Sequence, residues 1–321
     1  MKLDVPLHVA DVETLVAAGV SGAFAFEGPG DVFVPLARAA GADIDLYSNI
    51  AVSFPRSPTH LAYTAWDLQR LSGGRFMLGL GSQVRAHVER RFGADFDRPA
   101  ARMAEQVDAI RAAFRAWQDG EPFEHHGEFW DLDLMPPLFN PGPLPDGPPP
   151  ILVAAVGPQM TRVAATHADG ILLHPFTSTR FVHERTLPPL VDTPDRFVVV
   201  GGAIVAVAGP DEDQSAADDA ARGLVAFYGS TPAYRPVLDI EGHGEIQPEL
   251  RTLTRAGRWA EMAALVDDTV LSSIVLRGTP QEVSAQLRER YGTAASRVAV
   301  TIPHPVSPDT LGTLAAAVAG T

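Results

Sequence analysis

Eight short apolar runs alternate with amphipathic stretches along this chain, and that rhythm constrains the fold more than any other feature. The runs predict strands at 3–7, 22–26, 44–52, 76–81, 151–155, 170–173, 197–207 and 297–302. Helical periodicity falls between them at about 10–18, 32–40, 59–71, 100–117, 158–168, 178–190 and 213–228, with a last helix at 307–319. Runs such as ILVAA at 151–155 are apolar on both faces, as parallel strands covered by helices are. Alternation of strand and helix implies parallel βαβ units. Eight repeats favour a closed (β/α)8 TIM barrel, an α/β fold, over an open doubly wound sheet, which is the alternative. The 321 residues are expected to form one domain, 1–321, with insertions after strands 4 and 7. The first insertion, 119–150, is rich in proline and aromatics, and the second, 229–275, carries the polar loop EGHGEIQPE.

Composition removes several functions. A net charge of −14 argues against a nucleic-acid partner. No run of eighteen apolar residues occurs, so no membrane span is expected, and the first residues, MKLDVPLHVADVE, lack a signal-peptide pattern. A cytoplasmic protein is the expectation. The chain has no cysteine, which excludes disulfides, thiolate metal sites and a cysteine nucleophile. Lys2 is the only lysine, which leaves no lysine to form a Schiff base within the body of the chain. No His-x-x-x-His or HExxH spacing is present, and no metal site is expected; His125-His126 reads as a solvated turn. Nucleophile elbow, Walker loop and GxGxxG are absent as well.

The most informative segment is WDLQRLSGGRFMLGLGSQ, residues 66–83. A helix ends at Leu71, Ser72-Gly73-Gly74 turns the chain, and an apolar strand finishes in Gly79-Leu80-Gly81. Glycines at 73 and 74 suit the positive φ of a helix C-cap, and those at 79 and 81 admit close approach of backbone or ligand. The wording LSGGRF.LGLGS is similar to the strand-4 segment of the luciferase-like monooxygenase superfamily. Three further segments, IAVSFPRSPTHLAYTAWDLQ, PPPILVAAVGPQMTRVAATHADGILLH and LRGTPQEVSAQLRERYG, resemble superfamily segments in the same order. The branch most resembled uses coenzyme F420, an 8-hydroxy-5-deazaflavin.

That resemblance implies an oxidoreductase moving a hydride between F420 and a small organic substrate. An FMN-dependent monooxygenase and a catalytically silent flavin-binding barrel are the alternatives. It also implies a cofactor lying across the C-terminal ends of strands 3 to 6. The turn Gly157-Pro158-Gln159-Met160-Thr161 would hold the phosphate, with Ser82 and Gln83 facing the same region. A helix N-terminus is a ready anion site, and the simple alternative is a capped helix. Ala51, Val52 and Ser53 would form a bulge with a non-prolyl cis peptide, mapped to Ala51–Val52, behind the central ring. The family's usual His and Trp after strand 2 and Glu after strand 4 are missing. Phe26-Glu27-Gly28-Pro29-Gly30 and Gln83-Val84 stand there instead.

Position alone supplies the acid–base candidates, because a barrel keeps its chemistry at the C-terminal ends of its strands. His8 follows strand 1 and Glu27 follows strand 2. A histidine beside a carboxylate is held in one tautomer and poised near neutral pH. The plainer reading has His8 capping the next helix and Glu27 bonding backbone amides around Gly28 and Gly30. His87, His174 and His304 are the next candidates. The apolar helical faces and the resemblance to the superfamily also imply a homodimer, with helices around 59–71 and 100–117 as contacts; Trp66 and Leu68 would then have little left to pack on in a lone chain, the alternative being that both are core.

Overall fold

A computed structural model of the protein describes residues 1–320. Eight parallel strands carry the architecture: β1 (Lys2–Pro6), β2 (Gly22–Ala25), β3 (Asp45–Ser48), β4 (Phe76–Gly81), β5 (Ile151–Ala155), β6 (Gly170–Leu173), β7 (Val198–Val207) and β8 (Arg297–Thr301). Each pairs with the next in chain order, and β8 pairs with β1, which is the (β/α)8 barrel. Two compact units are distinguishable. One comprises residues 1–23, 173–192 and 199–321; the other comprises 24–172 and 193–198. The division passes through β2 and β6 themselves.

In the first unit β8 lies between β1 and β7, with Lys2 opposite Arg297 and Val200 opposite the same Arg297. A three-residue strand, Leu276–Gly278, pairs in parallel with the last three residues of β7. Nine of the ten β7 residues are buried, which accounts for its unbroken apolar run. Asp4 and Arg297 form a bidentate ion pair inside this wall at 2.7 and 2.9 Å. The insertion after β7 folds into helices Arg235–Ile240, Gln247–Ala256, Trp259–Ala264 and Asp268–Ile274, packed on helix Gln214–Gly229 through Val225, Leu250 and Leu271. Helix Pro280–Tyr291 is an element that apolar periodicity did not mark. Its signal was the TPQE string, a capping box in which Thr279 and Glu282 satisfy each other's backbone N–H.

In the second unit β4 lies between β3 and β5, with Leu78 opposite Ile151 and Gly79 opposite Leu152. Ser57 caps helix Pro58–Leu71, and Gly73 and Gly74 take φ of 60° and 84° just past its end. That helix packs on Pro99–Gln118 through a ring cluster of Tyr63, Trp66, Phe114 and Trp117. Trp66 is fully buried and donates its indole N–H to the Gly142 carbonyl at 3.1 Å, and Leu68 is buried as well. The expectation that both lack cover in a lone chain is thereby corrected. For Trp66 the cover comes from the rings of Phe114 and Trp117 and from the insertion at Gly142.

Two further expectations are revised. Residues 178–190 do not form a continuous helix. They break into Thr179–Phe181, a π turn at Val182–Thr186 and a 3-10 turn at Pro188–Leu190. Paired prolines at 188 and 189 remove the N–H groups a helix would need there. The stretch 119–150 is more ordered than a loop, holding a hairpin of His125–His126 with Asp131–Leu132 and a 3-10 turn at Pro137–Phe139. Among the described residues no helix is long and apolar enough to cross a membrane.

Candidate functional site

The end of β3 is where the second unit departs most from regular geometry. The predicted strand 44–52 is interrupted by a non-prolyl cis peptide between Asn49 and Ile50, after which Ala51–Val52 pairs with Leu80–Gly81 of β4. The cis bond therefore lies two residues before the expected Ala51–Val52. The β4 glycines explain themselves here. A Cβ on Gly79 would stand 1.8 Å from the Ser48 carbonyl oxygen, and one on Gly81 would meet Ile50 at 2.7 Å. Ser48 Oγ also accepts from Gly79 N–H at 2.9 Å and donates to its carbonyl at 2.8 Å. Only glycine lets the two strands come this close.

Ala51, Val52 and Ser53 are fully buried. Ser53 Oγ donates to Gln106 Oε1 at 2.6 Å, while the Gln106 amide donates to the Ser53 and Arg56 carbonyls. The segment is locked from behind by helix Pro99–Gln118. From β2, Glu27 accepts the Val52 N–H at 2.7 Å and holds Arg56 bidentately at 2.7 and 2.8 Å. Arg56 also reaches Asp31 at 3.1 Å and the Val52 carbonyl at 2.9 Å. These carboxylates raise the Arg56 pKa against the burial that would lower it. Glu27 thus bonds a backbone amide, as the plainer reading had it, but at Val52 and not around Gly28. The sequence places Arg56 just after strand 3 but did not pair it with Glu27, because 29 residues separate the two.

After β4, Ser82 and Gln83 are half-buried, and Gln83 takes a left-handed φ of 56°. Its side chain accepts the Val84 N–H at 3.0 Å, which compensates for a conformation uncommon outside glycine.

After β5, Gly157 is the N-cap of helix Pro158–His167 and provides no side-chain cap. Pro158 has no N–H, and Thr161 is the first residue whose N–H reaches an intrahelical acceptor, the Gly157 carbonyl at 3.0 Å. The amides of Gln159 and Met160 are left to an outside acceptor. Gly157, Pro158 and Gln159 are exposed, and nothing lies within 4 Å of a Cβ built on Gly157. Open space over uncapped N–H groups suits an anion such as a phosphate. Two details differ from expectation. Gly157 has φ −98°, an ordinary extended value that does not require glycine, and Thr161 is buried with its hydroxyl donated to the Gly157 carbonyl at 3.1 Å. A groove of about 290 Å³ lies between this helix and Pro99–Gln118, lined by Ala100, Ala104, Gln159, Arg162, Val163 and Thr166. It belongs to the outer helical layer and not to the strand ends.

In the first unit, His8 lies in the turn after β1, its imidazole pKa lowered by partial burial. It does not cap the following helix; Asp11 does, accepting the Thr14 N–H at 2.8 Å. His304, after β8, bonds the Pro305 carbonyl through Nδ1 at 2.9 Å. Its Nε2 is buried with no protein partner. His174, after β6, stacks on Tyr234 and meets Tyr228 edge-on. His87, after β4 in the second unit, is exposed on helix Arg85–Arg91. No group of three or more metal-binding side chains forms among the described residues, and His126 pairs with Asp131 in the hairpin instead.

The sequence model of the family described as luciferase-like monooxygenase matches residues 12–297. An uncharacterized protein of Mycobacterium tuberculosis is 41% identical over 313 residues, spanning 93% of this chain and 92% of its own. A 5,10-methylenetetrahydromethanopterin reductase of Archaeoglobus fulgidus is 29% identical over 265 residues, spanning 79% and 74%. Among solved structures, the coenzyme F420 dependent tetrahydromethanopterin reductase from Methanopyrus kandleri superposes with a TM-score of 0.81 at 18% identity, covering 99% of this chain and 98% of that one. With the family model spanning most of the barrel and a relative this similar over nearly its whole length, the chain belongs to the luciferase-like monooxygenase family.

Proposed function

We propose that the protein is an oxidoreductase that transfers a hydride between C5 of coenzyme F420 and an organic substrate. The observation that carries this reading is the uncapped N-terminus of helix Pro158–His167 beneath the open Gly157 position. Support comes from the relatives, whose names include reductases, one of them F420-dependent. Bound F420 would supply the hydride carrier; the chain supplies binding, orientation and exclusion of water. Gln159 and Met160 N–H would receive the phosphate, with Ser82 and Gln83 beside them. The locked segment Ala51-Val52-Ser53 would back the ring, with Gln106 and the Glu27–Arg56 pair fixing its backbone. Glu27 acts here through the backbone it holds. His8, in the turn after β1, holds the proton exchanged with substrate.

The test is a titration of the protein with F420 and with FMN, followed by cofactor fluorescence. F420 is expected to bind at least about tenfold more tightly than FMN, a difference of about 1.4 kcal/mol. Tighter binding of FMN would turn the reading to a monooxygenase, and binding of neither would leave a silent barrel.

A further inference from the structure

One cluster of ionisable side chains lies outside this machinery, wholly within the first unit. His174 follows β6 directly. Tyr228 is near the end of helix Gln214–Gly229, and Tyr234 closes the 3-10 turn Pro232–Tyr234 in the insertion after β7. The His174 ring stacks on Tyr234 with centroids 4.2 Å apart and planes 29° apart, and meets Tyr228 at 4.8 Å and 85°. Tyr228 and Tyr234 are themselves edge to face at 6.0 Å, above Phe176. Beneath lies the buried core of Val225, Val237, Leu238 and Leu250. The insertion is tied to the loop after β6 by Ser178 Oγ donating to Glu241 at 2.5 Å and by Arg180 donating to the Ile240 carbonyl at 2.7 Å.

The protonation of this cluster follows from its bonds. Phe176 N–H donates to His174 Nδ1 at 3.1 Å, so Nδ1 carries a lone pair and the ring proton sits on Nε2. Burial holds the imidazole pKa down to about 3, and it raises both tyrosine hydroxyls above their ordinary value. The three groups are neutral together at physiological pH. Among the described residues none of Nε2 and the two hydroxyls has a protein hydrogen-bond partner. Half-buried donors without acceptors, set on ring faces, are a recognition surface for something that brings the acceptor.

We propose that His174, Tyr228 and Tyr234 form the substrate-recognition wall, and that it takes an uncharged organic molecule with a flat apolar body and a carbonyl-type oxygen. The proposal rests on the oxidoreductase reading and names the substrate class for it. Neutral donors offer no counter-charge to a carboxylate or phosphate, and no carboxylate in the cluster answers a cation. The flat rings give an apolar surface at low entropic cost. A neutral imidazole does not surrender its Nε2 proton near neutral pH, so His174 positions the oxygen and is not the acid.

Ligand binding without cofactor tests this. Acetophenone, benzoate and benzylammonium share one ring and differ in charge; their binding is read by ligand-observed NMR. Wild type is compared with Tyr228→Phe, Tyr234→Phe and His174→Phe, which keep the rings and remove the donors. Acetophenone is expected to bind, with both charged probes at least about tenfold weaker and each variant roughly three- to tenfold weaker for acetophenone. F420 affinity and melting temperature should stay at wild-type values in the tyrosine variants. Equal binding of benzoate or benzylammonium, unchanged acetophenone binding in the variants, or no acetophenone binding to wild type would each overturn the proposal. Failure of wild type to bind F420 would instead overturn the oxidoreductase reading, and the probe measurement does not depend on it.

Discussion

At the ends of β2 and β3, ionisable side chains are held in ion pairs with one another; at the end of β6 they stand neutral and without one. Glu27, Asp31 and Arg56 are joined by ion pairs of 2.7 to 3.1 Å, with both Glu27 oxygens taken. His174, Tyr228 and Tyr234 face a similar half-buried setting with no ion pair, and burial shifts each toward its neutral form. The difference is one of purpose. A charge half out of water needs a partner in the protein, and a pair with satisfied hydrogen bonds is a brace. A neutral donor can be left for a ligand at smaller cost. The charged cluster therefore fixes backbone, and the neutral one offers hydrogen bonds.

Removing the brace breaks this comparison most directly. Glu27→Ala leaves Arg56, whose side chain is 19% exposed, and the Val52 N–H without their main acceptor. A loss of about 3 kcal/mol in unfolding free energy is expected, the lower end for one partner of a buried pair. Urea denaturation checks it, and a loss below about 1 kcal/mol would show that the pair braces nothing. Glu27→Gln should recover part of the loss by keeping one acceptor.

The proposed proton site is the next largest. His8→Ala is expected to lower kcat about 100-fold at saturating F420, the low end for general acid–base groups. Cofactor affinity should not change. Near-wild-type turnover would move the proton to His304, whose unpartnered Nε2 is the next acceptor at a strand end.

What the sequence revealed of these two clusters follows from how each is built. The strands were legible because both their faces are apolar, and the β4 glycines because close approach excludes any side chain. Gln159 and Met160 were legible through the glycine–proline start of their helix. The Glu27–Arg56 pair was not, since a long-range partner leaves no local pattern. The cis bond was misplaced by two residues because Asn49-Ile50 has no proline to mark it. Tyr228 ends a helix whose periodicity was legible and Tyr234 lies in the insertion that follows it, but both are more than 50 residues from His174, so nothing in the sequence tied them to it.

Acid sharpens the comparison from the neutral side. The folded His174 pKa of about 3 lies below the ordinary 6.5. Between those values the unfolded chain binds the proton that the folded one refuses. Stability is therefore intact above pH 6.5 and falls as pH drops below it, by about 1.4 kcal/mol per unit from this residue. By pH 5 the loss is about 2 kcal/mol. His174→Phe has no such proton to refuse, so its melting temperature should fall less than that of wild type between pH 7 and 5. Parallel curves would show that His174 takes up its proton in place.

The smallest expected effect concerns the uncapped helix, where neither device operates and backbone N–H groups face outward alone. Gly157 needs no special φ, so Gly157→Val should leave the fold intact, with unfolding free energy within about 0.5 kcal/mol of wild type. The added side chain would instead occupy open space beside the Gln159 and Met160 amides. If those amides hold the cofactor phosphate, F420 binding should weaken about tenfold, or about 1.4 kcal/mol. Thr161→Ala separates the two parts of this site. Its hydroxyl already serves the Gly157 carbonyl at 3.1 Å, so its loss should cost less cofactor affinity than Gly157→Val. Fluorescence titration of both variants decides the matter. Unchanged F420 affinity in Gly157→Val would place the phosphate elsewhere, and a greater loss in Thr161→Ala would mean that the hydroxyl turns to the ligand when it binds.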